Sequence, residues 1–249
     1  MNCADLQALD AKPAEPAATA AVFGFGAAMI DRRLGGGLAM AALHELYAGG
    51  EADAATAAAM AVLLAMRTGR EGPIVWLGDD ASRRAGRLYG LGLAELGVDP
   101  TRLLLVEAPD AVQLLRASAE ATACGGVAAV IVVVAGKAAA LDLTATRRLG
   151  LSAARSGVTI LLVRDGAPAP SAASTRWQVG SAASTAMPGQ APASPAFALS
   201  LLRHRGGIAG FSCILEWDRD RKSFGAARSG AVPAAAFQRA GSAPARRAA

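Results

Sequence analysis

Short apolar runs of strand length alternate along this chain with longer segments that carry helix boundary signals. Residues 43–48 (LHELYA) open the series, and an alanine-rich stretch over 54–66 follows, ending in Arg67 and Gly69. Asp53 precedes that stretch as a side-chain N-cap would, so the pattern predicts strand, loop and helix. Residues 73–78 form a second predicted strand and 82–96 a helix ended by Gly97. Residues 103–106 make a third strand, and Asp110 caps a helix running through 122. The apolar run 127–134 is the fourth strand, 142–156 a helix closed by Gly157, and 158–163 a fifth strand. Strands that are apolar throughout are buried on both faces. The expected architecture is therefore α/β, a mostly parallel sheet with helices on both faces.

After Arg164 the pattern changes. Residues 165–196 are rich in Ala, Ser, Pro and Gly and are expected to form a loop, interrupted by one short apolar–polar piece, Thr175-Arg176-Trp177-Gln178-Val179. Residues 197–202 and 211–217 flank the turn-like Arg205-Gly206-Gly207, which predicts antiparallel strands at the C-terminal end of the sheet. The composition divides the chain into a flexible lead at 1–20, one folded domain at 21–225 and a disordered basic tail at 226–249.

Composition narrows the function classes. At 249 residues with 53% hydrophobic content, the chain can bury one substantial core. The longest uncharged apolar run, 127–136, is too short to span a bilayer, and no secretory signal is visible at the start, so a cytoplasmic protein without membrane contact is expected. Cys3, Cys124 and Cys213 are widely separated and His44 and His204 are the only histidines, which argues against a disulfide framework, a metal centre or a histidine-based triad. The net charge is +5. That allows a DNA contact, but a modest positive balance is common among soluble proteins.

The segment from Glu45 to Thr56 (ELYAGGEADAAT) lies between the first strand and its helix, where a phosphate-binding loop would be. Such a loop needs glycine backbone N–H groups to cradle phosphate, a lysine to reach the β/γ oxygens and a hydroxyl for the metal. Gly49 and Gly50 are present, but Ala54 and Ala55 occupy the lysine and hydroxyl positions, with Thr56 one residue further on. Glu51 and Asp53 add carboxylates that repel a triphosphate.

The order of elements resembles the RecA recombinase core over roughly 22–218, on GFGAAMIDRRLGGGLAMAALHELYAGG, LYGLGLAELGVDPTRLLLVEAPD, AAVIVVVAG and LLRHRGGIAGFSCILEWD. More narrowly, DLTATRRLGLSAARSGVT, STRWQV and the LLRHRGG…LEWD ending resemble the ImuA family of RecA-related mutagenesis proteins. The resemblance implies a degenerate RecA-like core. The strand-end aspartate of the pattern falls on Val134 and the water-activating acid on Asp79 or Asp80. With lysine and aspartate both missing, no ATP turnover and no required cofactor are expected. It further implies an adaptor in damage-induced translesion synthesis, linking an ImuB-like inactive Y-family polymerase homologue and an error-prone α-type DNA polymerase. RecA and DNA are further candidate contacts. The alternatives are a modulator of RecA that keeps weak ATP binding through Gly49, Gly50 and Thr56, and a division inhibitor of the SulA type.

Three basic clusters are candidate partner or DNA contacts. Arg147 and Arg148 share a predicted helix with Arg155, and a solvated helix face is the plainer reading. Arg176-Trp177 could be an interface anchor or could pack the end of the sheet. Arg203-His204-Arg205 at a glycine turn could meet phosphate or carboxylate, or form an ordinary charged hairpin.

Overall fold

The computed structural model describes residues 21–136, 139–184, 194–208 and 210–227. The lead at 1–20 and all but the first two residues of the tail at 226–249 lie outside the described residues. Two short strands, β1 (Val22–Phe23) and β2 (Leu38–Ala39), pair antiparallel around helix α1 (Ala28–Arg33). The main body then runs β3 (Leu43–Ala48), α2 (Ala54–Arg67), β4 (Ile74–Asp79), α3 (Asp80–Ala85), α4 (Gly90–Glu95) and β5 (Leu103–Ala108). It continues with α5 (Ala111–Ala123), β6 (Ala129–Val134), α6 (Leu143–Ser156) and β7 (Thr159–Arg164), and closes with β8 (Thr175–Ser181), β9 (Ala196–His204), β10 (Ser212–Asp218) and β11 (Ser223–Ala226).

Nine of these strands form one sheet in the order β11-β10-β9-β8-β3-β7-β6-β4-β5. The six from β8 to β5 are parallel, and β9, β10 and β11 add antiparallel at the other end. Two apolar layers sandwich it. On one face Met60, Leu63 and Leu64 of α2 pack with Leu46, Ile131 and Leu161, and on the other Leu114 of α5 and Leu149 of α6 pack with Val130, Val132 and Ile160. No helix among the described residues is long and apolar enough to cross a membrane.

Local chemistry accounts for several helix boundaries. Asp79, Asp110 and Asp142 each accept backbone N–H bonds at the start of α3, α5 and α6. Gly157 closes α6 in the left-handed conformation at φ 76°.

Two expectations need correction. The helix expected over 82–96 is two short helices separated at 86–89. Gly86, Gly90 and Gly92 make a continuous helix costly there, and the chain at Gly86 is extended. The loop expected over 165–196 contains β8, an interior strand paired parallel with β3 and antiparallel with β9. Its alternation is real, because Thr175, Trp177 and Val179 are buried while Arg176 and Gln178 are half-buried on the opposite face.

Candidate functional site

The segment that resembles a phosphate loop is tied to the end of β8. The Gly49 N–H donates to the Val179 carbonyl at 2.7 Å, so an amide that would cradle phosphate is already engaged. Asp53 does not cap α2. Its Oδ1 accepts from the Ser181 N–H at 2.8 Å and from the Ser181 hydroxyl at 2.9 Å, tying the start of α2 to the end of β8. The expected cap therefore fails because β8, unseen as a strand in the sequence, offers the carboxylate better donors than the helix does. A side chain at Gly49 would bring its Cβ within 2.9 Å of Asp53 Oδ2, which explains glycine there. Val134, at the position of the strand-end aspartate, is buried at the end of β6. Asp79 is occupied as the cap of α3, its Oδ1 accepting from the Ser82 N–H at 2.8 Å. Asp80 pairs with Arg83 at 3.3 Å.

Beside this loop, at the C-terminal ends of β3, β4, β6 and β7, lies a cavity of about 750 Å3. Ala54, Ala55, Ala58 and Ala59 of α2 form one wall, and Trp76, Leu88 and Leu93 are among the other lining residues. Ligands of open α/β sheets bind at this end of the strands. The lining here is mostly apolar. Its arginines are Arg83, Arg87 and Arg164, and its carboxylates are Glu107 and Asp165.

On the opposite face of the sheet sits a buried ionic cluster. Glu45 is fully buried, with Arg164 Nη1 at 3.5 Å from Oε1 and Arg176 Nε at 3.0 Å from Oε2. The Ser171 hydroxyl donates to the same Oε2 at 2.7 Å, and Arg176 reaches the Ala169 carbonyl at 2.6 Å. Both guanidinium groups lie 5.7 Å from the Tyr47 ring centre. Arg203 donates to the Ser171 carbonyl at 3.0 Å, so the strap between β7 and β8 is clamped from three strands. A lone carboxylate at this depth would be prohibitively costly. Two guanidinium groups and a hydroxyl make it tolerable.

These contacts reassign Arg176 and Trp177. Arg176 is paired with Glu45, and Trp177 is 1% exposed, packed edge-on against Phe25 and Phe211. Of the two readings the sequence left open, the structure supports packing: Trp177 belongs to the core. A hydrogen-bonded chain secures it: the Trp177 indole N–H donates to Thr175 Oγ1 at 2.9 Å, and that hydroxyl lies 2.8 Å from His44 Nδ1. His44 Nε2 is 2.8 Å from the Ala39 carbonyl, which can only accept, so Nε2 carries the proton and Nδ1 accepts from Thr175. Burial pushes the His44 pKa down to about 4.

Of the turn cluster, His204 Nδ1 accepts from the Gly206 N–H at 2.9 Å, and partial burial lowers its pKa. The Arg205 side chain is exposed. Arg147 and Arg148 are exposed on α6 as expected. Arg148 and Arg155 line a groove of about 540 Å3 with Leu151, Ser152, Ser156 and Ala123 of α5. Arg70 braces its end by donating to the Gly157 carbonyl at 3.0 Å and the Gly125 carbonyl at 2.8 Å, the residues just beyond α6 and α5. The structure thus brings Arg148 and Arg155 together and places Arg176, Trp177 and Arg203 elsewhere. Sequence reasoning missed Glu45 and the cavity. The one signal for Glu45 was a carboxylate inside an otherwise apolar strand. No protein-family model matches this chain, and no curated protein sequence matches it.

Proposed function

We propose that this chain is a non-catalytic RecA-like adaptor in DNA-damage-induced, error-prone translesion synthesis, joining an ImuB-like inactive polymerase homologue to an error-prone α-type DNA polymerase. The observation that carries the non-catalytic part is the state of the loop after β3. It has alanines at the lysine and hydroxyl positions, its Gly49 amide is bonded to Val179, and Asp53 is bonded to Ser181. Phosphoryl transfer depends on positioned positive charge and a metal, and this loop provides neither group. The adaptor part rests on the resemblance of 22–218 to the RecA core and on the motifs similar to the ImuA family. A mostly parallel sheet with antiparallel strands at its C-terminal end agrees with that resemblance.

The exposed arginines of α6 are the partner surface this reading favours. An affinity-tagged chain recovered from DNA-damaged cells is expected to bring down an inactive Y-family-like protein and an error-prone polymerase. The double variant Arg147→Glu/Arg148→Glu is expected to lose at least one of them while keeping its thermal midpoint. Recovery of RecA or the division protein FtsZ instead, or of neither polymerase component, would overturn the adaptor reading.

A further inference from the structure

The exposed face of α6 carries an inference that rests on the reading of its arginines as a partner surface and extends that reading to the partner's chemistry. Leu151 stands three residues after Arg148 and four before Arg155, so helical spacing puts all three side chains on one face. The two arginines are two turns apart, about 10 Å along the axis. Leu151 is 51% exposed, and Leu143 in the first turn is 52% exposed. Arg148, Leu151 and Arg155 line the groove of about 540 Å3 whose other wall is Ala123 at the end of α5. Arg70, bonded to the carbonyls just beyond both helices, holds those walls at a fixed spacing.

The positive charge here is uncompensated. Helix α6 contains three arginines and no acid. Among the described residues, no ion pair or hydrogen bond engages the side chain of Arg147, Arg148 or Arg155. Glu120, the acid of α5, is exposed and does not line the groove. The helix dipole accounts for an arginine in the last turn, where Arg155 lies, but not for Arg148 in the middle of the helix. A cation, an apolar group and a second cation in line specify what fits. Single-stranded nucleic acid is held by aromatic stacking, and α6 has no aromatic residue. A helix lying on a bilayer buries its apolar face in lipid, whereas Leu149 and Ala153 of α6 are already packed on the sheet. A helix laid along the groove satisfies all three groups, with carboxylates two turns apart on the arginines and an apolar residue against Leu151.

We propose that the groove between α5 and α6 docks an acidic amphipathic helix of a partner protein, in which two carboxylates seven residues apart flank an apolar side chain. The test is a fluorescence-anisotropy titration of the full chain into a fluorescein-labelled, alanine-based helical peptide of about 18 residues, carrying two glutamates at that spacing and a leucine between them. Saturable binding is expected with a dissociation constant on the order of 100 μM at low salt, weakening as salt is added. Glutamine at both glutamate positions is expected to weaken it roughly tenfold, and alanine for the leucine roughly fivefold. Arg148→Glu/Arg155→Glu is expected to abolish binding of this peptide and to gain binding of one with lysines at the two positions, a rescue that an unfolded chain cannot give. Should that variant fail to fold, Arg148→Gln/Arg155→Gln is expected to weaken binding roughly tenfold. Arg84→Glu, exposed on α3, is expected to leave it unchanged.

No saturable binding to the folded chain, indifference to the peptide's carboxylates, or indifference to Arg148 and Arg155 would each overturn the proposal. So would tighter binding of single-stranded DNA or phosphatidylserine vesicles at this face, or a dimer of the chain that Arg148→Glu/Arg155→Glu dissociates. Failure of peptide binding with both polymerase components still recovered from cells leaves the adaptor reading standing. Peptide binding by a chain that recovers neither component keeps the acidic-helix site and removes the adaptor role.

Discussion

Acidification from pH 7 to pH 5 is expected to destabilise this domain by about 2 kcal/mol through His44 alone. His44 is fully buried at the start of β3, and burial lowers its pKa from the ordinary 6.5 to about 4, the Ala39 carbonyl opposing that shift and the charge of His204 adding to it. The hydrogen bonds explain why the neutral ring is required. Nδ1 accepts from Thr175, whose oxygen is already taken as acceptor by the Trp177 indole, so a proton placed on Nδ1 would face an oxygen oriented to donate. Between pH 6.5 and pH 4 the unfolded chain binds a proton that the folded chain refuses. Stability is therefore full above the unfolded pKa, falls as pH drops toward 4, and levels off below it. With a urea slope of about 2 kcal/mol per molar, the unfolding midpoint should move by about 1 M between pH 7 and pH 5. His204, lowered by its own partial burial, contributes in the same direction, so the informative quantity is the difference between the wild-type chain and His44→Gln. Equal pH slopes for the two proteins would refute the argument.

Two further outcomes follow from the core. Glu45→Gln leaves Arg164 and Arg176 facing a neutral amide and is expected to cost about 3–5 kcal/mol in chemical denaturation, as breaking a buried pair does; a loss below about 1 kcal/mol would mean that water compensates the two arginines. Trp177→Ala is expected to cost about 3–5 kcal/mol, since the ring is 1% exposed among Phe25 and Phe211, and a stable variant with weakened partner binding would restore Trp177 as an interface residue.

Much of the parallel half of the fold was legible because β4, β5, β6 and β7 are mostly apolar runs and α5 and α6 are each introduced by a carboxylate that caps them. Asp110 and Asp142 behave as their local sequence indicates. Asp53 has the same local signature and does not, because its partner, Ser181, lies 128 residues away in sequence. Nothing within a helix-length window distinguishes the two cases. Strand β8 was obscured for a related reason. Its flanks read as loop, and its own alternation is short and carries an arginine whose carboxylate partner, Glu45, lies on another strand. The alanines of 54–59 were legible as helix but not as one wall of a cavity, because the cavity depends on where the glycine-broken segment after α3 folds back. Exposure of Arg147 and Arg148 followed from helical periodicity, while the groove beside Arg148 needed α5 as its second wall.

The chain has three tryptophans, and their placement gives the protein two optical environments. Trp177 and Trp217 sit sealed in one aromatic corner, Trp217 with its ring 4.8 Å from Phe224 and its indole N–H donating to the Leu96 carbonyl at 2.8 Å. Trp76 borders the open cavity instead. Emission from the first pair should be blue-shifted and resistant to acrylamide until the domain unfolds, whereas Trp76 should be quenched in the native state. Replacing Trp177 and Trp217 with phenylalanine would leave one emitter whose spectrum reports the surroundings of the cavity, separately from global unfolding.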